Sequence, residues 1–514
     1  MKNFKKLLAV TLACLMAFSS LSVLAFAGQA QEVQYEITNP YKDVDFDAYK
    51  AYKAQLHCHT NASDGYLPIK SAIEKYYDLD YDIVAITDHG TINQGWDTEP
   101  ELIPLVRAIK KERTQGLPVY PLSQDEYQSY VKGTAKTTNG LVRTHNEGML
   151  DVEKGIELNM ATPFADCHLT GYWSDYGQGL AGVFGDYETP SAGVKEAGGI
   201  SMLSHVGEYV YIDKDSVDHV GQLIDEYYPN KFAKIFLDNA GSSVGMGINS
   251  ATDCHTRCDR ILYDQILQRT IPNGVTPWGF TFSDSHTVTS MDDAYTIMMM
   301  PELTNKALRS CMEKGEFFAV SHYSYALELD GEPEWPKSYA THDHDVDCML
   351  YDEETDTVKL NLSATPVFTN IEVDDETDTI SVEFENADRI VWVSNGNVLR
   401  RDENITDGKA SICLKDVFKD KDGNEVEPYL YIRFYITGED GICYAQPMVI
   451  KKNGEAFRAV EVPETHDIST FLRGLVTVFD WVFFKWNPII WAFKYFALGY
   501  DPIIRFINDL MFWK

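Results

Sequence analysis

Two kinds of apolar pattern alternate along residues 53 to 330 of the chain. Short runs rich in β-branched residues are typical of buried strands, and longer amphipathic stretches are typical of helices. The predicted strands are 53–59, 83–87, 117–121, 155–158, 200–204, 235–237 and 279–283. The predicted helices are 68–77, 101–115, 216–227, 251–268 and 302–314. This alternation indicates an α/β fold in which helices cover parallel strands, and the strands can close into a barrel.

Polar side chains stand where these strands end. The carboxyl ends of the strands meet at one mouth of a barrel, so residues at those ends are expected to lie together. Histidines and carboxylates are ligands that zinc, manganese and iron take from proteins. The polar residues at the ends are His57, His59, Asp88, His89, Glu157, His205, Asp284 and His286, and His168 opens a further extended run. Their number predicts a site for more than one divalent ion.

The first strand end carries two histidines on either side of a cysteine. Side chains two positions apart in a strand point to the same face, so His57 and His59 are expected to ligate one ion together. Cys58 is expected to point away, into the packing behind the strand. Asp64 follows on the next loop and is a further candidate ligand.

The motifs that hold these residues have a definite order along the chain. They are Leu56-His57-Cys58-His59, Ile86-Thr87-Asp88-His89, Gly155-Ile156-Glu157, Ser204-His205 and Ser283-Asp284-Ser285-His286. With Asp64, they resemble the ordered motifs of the PHP family, the polymerase and histidinol phosphatase metal-dependent phosphoesterases. The resemblance covers residues 53–330. It implies a distorted (β/α)7 TIM-like barrel that binds two or three divalent metal ions at one mouth.

The resemblance also implies which residues share an ion. One ion would be held by His57, His59, Glu157 and Asp284. A second would be held by Asp64 and His89, with Glu157 bridging, and a third by His168, His205 and His286. Asp284, His286 and Glu157 are the ligands expected to act most directly in catalysis. The stretch between His89 and Glu157 is longer than compact family members need, and Glu126 within it is a second candidate for the bridging carboxylate.

Metal chemistry would make a side-chain nucleophile unnecessary. Clustered divalent ions lower the pKa of a bridging water towards neutrality and neutralise charge that develops on phosphoryl oxygens. The expected activity is therefore hydrolysis of a phosphoester bond. Two alternatives stay open at this point: a binding protein whose metal site holds an anionic ligand without turnover, and an amidohydrolase-type enzyme that cleaves a C–N bond.

The charge of the chain limits its partners. With 78 acidic and 44 basic residues, the formal net charge is -34. Such a surface repels phosphate backbones, so extended binding of nucleic acid is not expected. The expected substrate is a small phosphorylated molecule or a phosphodiester. Arg143 and His145, in the stretch before Glu157, are either phosphate contacts or solvated loop residues.

Segments outside the predicted barrel have patterns of their own. Residues 1–27 have the basic start, apolar run and small-x-small site of a signal peptide, so we expect an exported protein, extracellular or associated with the cell envelope. Residues 28–52 form a lead-in, and 331–357 an acidic linker. Period-two alternation over 358–453 predicts a small antiparallel β-sandwich. Residues 467–514 predict short apolar, Trp-rich helices, which lie either in a membrane interface or against protein.

The cysteine count fits an exported protein. Nine cysteines include Cys14 inside the predicted signal peptide, which leaves an even number in the rest of the chain. An even number permits disulfides, although the spacings form no recognisable framework. Cys413 and Cys443, which both fall in the predicted β-sandwich, are the best candidates for a pair.

Overall fold

The computed structural model describes residues 35–102, 114, 116–159, 168–179, 187–209, 223–224, 226–249, 256–322, 351–352, 357–358, 363–419, 422, 424 and 428–465. The predicted signal peptide, the Trp-rich tail and nearly all of the predicted helix 101–115 lie outside these residues. So does most of the acidic linker. Among the residues described, no helix has the length and apolar character needed to cross a bilayer.

The described helices lie mostly in the N-terminal two thirds of the chain. They are α1 (Ile69–Asp78), α2 (Gln124–Val131), α3 (Glu188–Glu196), α4 (Tyr227–Asp238), α5 (Thr256–Thr270), α6 (Asn305–Lys314) and α7 (Leu414–Val417). Short 3-10 turns occur at Val206–Tyr209, Ile271–Asn273 and Val288–Ser290. The predicted helices 68–77, 251–268 and 302–314 correspond to α1, α5 and α6.

Strands run through both halves of the chain. Those of the N-terminal part are β1 (Tyr35–Thr38), β2 (Lys50–Cys58), β3 (Ile83–Ile86), β4 (Leu150–Asp151), β5 (Ile156–Asn159), β6 (His168–Tyr172), β7 (Ile200–Leu203), β8 (Ser243–Gly247), β9 (Trp278–Phe280), β10 (Ala294–Met300) and β11 (Phe317–Ser321). Those of the C-terminal part are β12 (Tyr351–Asp352), β13 (Thr357–Val358), β14 (Val367–Asp374), β15 (Thr379–Glu385), β16 (Arg389–Ser394), β17 (Asn397–Asp402), β18 (Lys409–Cys413), β19 (Tyr431–Gly438), β20 (Gly441–Tyr444) and β21 (Met448–Lys452).

The strands that carry the polar residues are divided between two sheets. One contains the parallel strands β2, β3 and β4, and the other has the order β5-β6-β7-β8-β9. Two isolated parallel bridges, His89 to Glu157 and Cys58 to Ser285, join the two sheets where β3 and β2 end. The mixed α/β class is thus confirmed. The ladders themselves do not form a closed ring, so the (β/α)7 barrel remains a proposal.

Strand β6 departs from the predicted parallel arrangement, because it runs antiparallel to both β5 and β7. Only residues 160–167 connect β5 to β6. A crossover between parallel strands needs a dozen or more residues, so a connection of this length favours a reversal of direction. The second sheet is therefore mixed, with parallel pairing from β7 through β9.

The predicted strand 235–237 is wrong, since these residues lie in helix α4. Phe232, Ala233, Ile235 and Phe236 are all buried, at spacings that place them on one side of a helix. A three-residue apolar run does not distinguish a strand from a buried helix turn. The strand of this region comes later, at β8, whose five residues are all buried.

The predicted strand 117–121 is also wrong. Pro118 and Pro121 each lack an N–H for a strand ladder, which makes this segment a poor partner for pairing. Its carbonyls are used elsewhere: Val119 and Tyr120 accept hydrogen bonds at 3.0 Å from the first two N–H groups of α1. The segment thus satisfies donors at the start of a helix, where no helical partner exists.

Sheet pairing continues from the N-terminal part of the chain into the C-terminal part. The larger sheet has the order β1-β21-β19-β20-β11-β10-β2-β3-β4, and β16 joins it through β19 with β17 beside it. Strands β14, β15 and β18 form a separate antiparallel sheet. The C-terminal strands are antiparallel, as the period-two pattern predicts, but β19–β21 do not pair among themselves alone: β20 pairs with β11, and β1 pairs with β21.

A buried ion pair also links the two parts. Arg433 of β19 donates from Nε and Nη2 to the two carboxylate oxygens of Asp264 in α5, at 2.9 and 2.8 Å. Tyr431 donates its hydroxyl to the same carboxylate. The predicted disulfide is wrong, because Cys413 and Cys443 are both free thiols, on strands of different sheets.

Asp151, the last residue of β4, is a buried carboxyl group outside the predicted set of ligands. It is 8% exposed, and one of its oxygens accepts the Trp96 N–H at 2.9 Å. Burial, with the nearby charges of Asp97 and Glu153, raises the pKa of Asp151 to about 8. An unfolded aspartate titrates near ~3.9. The folded chain therefore binds the extra proton between these values, and its stability falls as the pH rises through that window.

Replacing Asp151 with Asn is expected to remove this loss. At pH 8 the variant should unfold with a free energy about 2 kcal/mol higher than the wild type, because a buried carboxylate no longer has to be ionised. The gain should shrink towards pH 4, where the wild-type group is protonated. Urea unfolding of both proteins at several pH values, in the presence of a chelator, measures the difference. A gain that is constant with pH would contradict the assignment.

Candidate metal centre

Strand β2 and the loop after it position three of the polar residues. His57 is the next-to-last residue of β2 and His59 directly follows it, and their ring centroids lie 5.1 Å apart. Cys58 points the other way and places its Sγ 3.3 Å from the carbonyl oxygen of Ala85. Period-two alternation is therefore sufficient to orient this pair. Asp64 returns from the loop to within 3.5 Å of His59 Nδ1.

Four more of the residues lie in the loops that follow parallel strands. They are His89 after β3, His205 after β7, and Asp284 and His286 after β9. His205 and Asp284 have φ values of 26° and 49°, in the left-handed region that residues other than glycine rarely adopt. Conformational strain of this kind concentrates at functional sites.

His168 comes to the same place for a different reason. It begins β6, and because β6 is reversed, its start lies beside the end of β5: Asn159 is paired with His168. The first residue of an antiparallel strand thus joins residues that follow parallel strands. Glu157, two residues before Asn159, faces the same space and is fully buried.

Glu157 is the carboxylate that the histidines share. Its two oxygens lie within 3.6 Å of ring nitrogens of five histidines: His89 Nδ1 at 2.7 Å, His168 Nδ1 at 2.7 Å, His59 Nε2 at 3.3 Å, His57 Nε2 at 3.5 Å and His205 Nε2 at 3.6 Å. A carboxylate in contact with five candidate ligands is placed to bridge more than one ion.

Glu126, the other candidate for that bridge, is placed elsewhere. It is the third residue of α2, where it forms a capping box with Ser123. Its carboxylate also pairs with Lys70 on the surface. The alternative is therefore wrong: the acid is used to begin a helix, which is a common use of Glu at this position.

The nine candidate ligands form overlapping groups whose ligand atoms lie within 4.8 Å of one another. The groups are His59, Asp64, His89 and His286; His57, His59 and Glu157; His57, His205 and Asp284; and His89, Glu157 and His168. The structure therefore brings all nine residues together but divides them differently from the family pattern. The three histidines expected to share a third ion, His168, His205 and His286, belong to three separate groups.

Several buried atoms at the centre of these groups have no hydrogen-bond partner among the described residues. They are His57 Nε2, His59 Nε2, both oxygens of Glu157, and Oδ1 of Asp284. Asp284 Oδ1 lies 3.0 Å from His59 Nε2 and 3.2 Å from His57 Nε2. Buried polar atoms are rarely left without a hydrogen bond. Nitrogen and carboxylate oxygen atoms that converge without one form a donor set that fits divalent cations.

A hydrogen bond to Nδ1 of His57 leaves Nε2 of the same ring available to bind a metal ion. Thr87 donates its hydroxyl to the carbonyl of Cys58, at 3.2 Å, and its oxygen lies 2.7 Å from His57 Nδ1. His57 Nδ1 therefore carries the proton and donates it to Thr87, which leaves a lone pair on Nε2. Burial lowers the pKa of His57, which favours the neutral ring that a metal ion needs. Thr87 is thus a functional residue that strand-end reasoning overlooked, although it stands inside the Thr87-Asp88-His89 motif.

The carboxylates at the centre remain ionised. Burial alone would raise the pKa of Glu157, but His89 and His168 hold it well below its usual range. Burial likewise opposes ionisation of Asp284, but His57, His59 and His286 together more than offset it, so that its pKa is also lowered. In the chain without ions, protons supply part of the balancing charge: burial disfavours protonation of His59, yet nearby carboxylates raise its pKa to about 10. Divalent cations can take the place of such protons.

Arg143 and His145 serve the fold instead of the site. Arg143 is buried, and it donates to the carbonyls of Tyr77 and Tyr81 and to Asp82 Oδ1 at 3.0 Å. His145 Nδ1 lies 2.9 Å from Asp82 Oδ2. Both side chains are therefore used to fix the loop to the end of α1 and the start of β3.

No protein-family model and no curated protein matches the chain. Among solved structures, a two-domain protein from Bacteroides vulgatus that contains a predicted PHP-like metal-dependent phosphoesterase is 15% identical, with a TM-score of 0.37, over 79% of this chain and 96% of that one. An amidohydrolase from Chromobacterium violaceum with bound sulfate and no metal is 12% identical, with a TM-score of 0.27, over 51% of this chain and 96% of that one. A candidate metal-dependent phosphoesterase from Bifidobacterium adolescentis is 15% identical, with a TM-score of 0.24, over 46% of this chain and 89% of that one. Similarity at this level does not identify the activity of the chain, which depends on the residues of the site.

Proposed function

We propose that the chain is a metal-dependent hydrolase that cleaves a phosphoester bond at a centre of two or three divalent ions. One observation carries the proposal: Glu157 is fully buried among five histidines, and neither of its oxygens has a hydrogen bond among the described residues. A carboxylate desolvated in this way needs cations around it. The overlapping groups provide ligands for more than one ion.

Each kind of residue has a separate task at such a centre. Glu157 would bridge ions, while His57, His205 and Asp284 would hold one of them from the ends of β2, β7 and β9. His59, Asp64, His89 and His286 would hold a second. When bound, such ions acidify water and neutralise the negative charge that develops on phosphoryl oxygens. The protein's own contribution is to fix these ligands on strand ends and to keep the ring of His57 neutral through burial and Thr87.

A small substrate suits the charge of the chain. The net charge of -34 disfavours approach of long polyanions, whereas ions at the centre give one local positive region. We therefore propose a small phosphorylated molecule or a phosphodiester as the substrate class, with zinc, manganese or iron as the ions. Three carboxylates and six histidines are compatible with any of these metals.

Alanine at both His57 and Asp284 is expected to abolish hydrolysis of a generic phosphoester. His57 Nε2 and Asp284 Oδ1 lie 3.2 Å apart, so the double variant removes two neighbouring ligands while β2 and β9 remain. The assay uses p-nitrophenyl phosphate and its bis-ester, with metal content determined by elemental analysis before and after chelation. Unchanged turnover would sink the proposal. Metal content without phosphoester turnover, together with cleavage of an amide substrate, would favour the C–N hydrolase.

We also propose that the chain is exported and that residues 467–514 lie in a membrane interface, on the basis of the signal-peptide pattern at 1–27 and the four tryptophans of the tail. Deleting 467–514 should move the protein from the membrane fraction to the soluble fraction of cell-envelope preparations. Full-length and truncated proteins that fractionate alike would contradict the interfacial role of the tail.

A further inference from the structure

We infer that Asp88 is a positioning residue that fixes one arm of the metal centre, the arm formed by His59 and Asp64. The inference rests on the proposed metal site but assigns a role to a residue that belongs to none of the ligand groups among the described residues. Asp88 lies between Thr87 and His89, two residues past the end of β3, and is only 2% exposed. Its carboxylate is directed at the loop that follows β2.

Four hydrogen bonds hold that loop to Asp88. Asp88 Oδ1 accepts from Thr60 N at 2.8 Å, from Ser63 N at 3.2 Å and from Ser63 Oγ at 2.6 Å. Asp88 Oδ2 accepts from Thr60 Oγ1 at 2.6 Å. A single buried carboxylate thus satisfies two backbone N–H groups and two hydroxyls of one short turn. Hydrogen bonds to an ionised acceptor are stronger than those between neutral groups.

The turn transmits this position to two candidate ligands. Because Ser63 donates its proton to Asp88, its oxygen is free to accept from His59 Nδ1, which lies 3.3 Å away. That contact leaves the lone pair of His59 on Nε2, the atom that faces Glu157 and Asp284. Ser63 Oγ also lies 3.3 Å from Asp64 Oδ1. Asp88 therefore sets the tautomer of one ligand and the location of the next.

The loop has little room to adjust if Asp88 is removed. A Cβ placed on Gly65 would lie 2.7 Å from the backbone carbonyl carbon of His59, so the turn closes in direct contact with β2. Gly65 N donates to the Thr60 carbonyl at 2.9 Å. The group formed by His57, His205 and Asp284, in contrast, is held by the ends of β2, β7 and β9. Loss of Asp88 should consequently affect one ion more than another.

Metal titration of the wild type and three variants tests the inference. Chelator-stripped wild type, Asp88→Ala, Asp88→Asn and Ser63→Ala are titrated by calorimetry with Zn²⁺ alone and with Mn²⁺ alone. Asp88→Ala should lower the affinity for one ion by about 10- to 100-fold, the usual range for residues that orient metal ligands. Asp88→Asn should retain much of the affinity, because its remaining oxygen can still accept from Thr60 N and from Ser63. Ser63→Ala should lower the affinity for the same ion without any change of charge.

Asp151→Asn is the matched control, since it makes the same carboxyl-to-amide replacement at a buried aspartate outside the centre, and it should bind both metals as the wild type does. Equal weakening by Asp88→Ala and Asp88→Asn, with no effect of Ser63→Ala, would mean that charge alone matters and would overturn the inference. Wild-type affinity in all three variants would overturn it while leaving the proposed function intact. If the wild type itself binds neither Zn²⁺ nor Mn²⁺, both the proposed function and the inference fail.

Discussion

Glu157→Gln is expected to lower kcat/KM for a phosphoester by about 10³-fold or more, because metal ions supply several kcal/mol of charge stabilisation and each ~1.4 kcal/mol is a factor of ten in rate. The amide is nearly the same size as the carboxylate but lacks its charge. It would also present an NH₂ group to nitrogen atoms of His89 and His168, which lie 2.7 Å from the native oxygens. Steady-state assays with added metal, together with metal content by elemental analysis, measure the effect.

Glu126→Gln is the control for this variant. Glu126 caps α2 and pairs with Lys70 on the surface, so the same substitution there should leave both turnover and metal content unchanged. Its cost should be confined to stability, at about 1 kcal/mol or less for an exposed pair at a helix start. If Glu126→Gln removed activity and Glu157→Gln did not, the assignment of the bridging carboxylate would be reversed.

Arg433→Ala is expected to lower the free energy of unfolding by about 3–5 kcal/mol, because it leaves the other charge of a buried ion pair without its partner. Asp264 is 2% exposed and would keep only the Tyr431 hydroxyl of the contacts described above. Because the pair connects β19 with α5, the loss should destabilise the N-terminal and C-terminal parts together. Urea unfolding followed by tryptophan fluorescence and by far-ultraviolet circular dichroism should give one coincident transition at a lower midpoint.

Two comparisons make that result specific. Lys409→Ala breaks an exposed pair with Glu383 and should shift the unfolding midpoint far less than Arg433→Ala does. Arg433→Met combined with Asp264→Leu should recover much of the stability, since a buried pair can often be replaced by apolar residues of similar size. Two separate unfolding transitions in the wild type would show that the two parts fold independently and that the pair does not couple them.

Strand-end reasoning places the candidate ligands well because it depends on strong local rules. Alternation alone orients His57, Cys58 and His59, and the uninterrupted apolar run of β3 requires a strand buried on both faces. Once a strand is parallel and buried, the residues that follow it are restricted to the carboxyl edge of the sheet. His89 and Asp284 therefore lie where the pattern predicts, and the α/β class follows from the same signals.

Other features depend on interactions that no local pattern records. Residues 235–237 form a helix because Phe232 and Phe236 need one buried side, and the apolar run by itself carries no period. Segment 117–121 loses its strand because α1 needs acceptors for its first N–H groups. Thr87 and Asp88 act through partners that are distant in sequence, at Cys58 and Thr60. Contacts of this kind are set by tertiary packing, which the order of residue types does not specify.

Because β6 runs antiparallel to β5, the placement of the residues at the ends of these two strands does not depend on the length of the connection between them. Glu157 and His168 stand on one hairpin, and the ladder pairs Asn159 directly with His168. Register, not the eight residues of 160–167, therefore determines the distance between the two ligands. The ladder between β5 and β6 thus keeps the two ligands side by side.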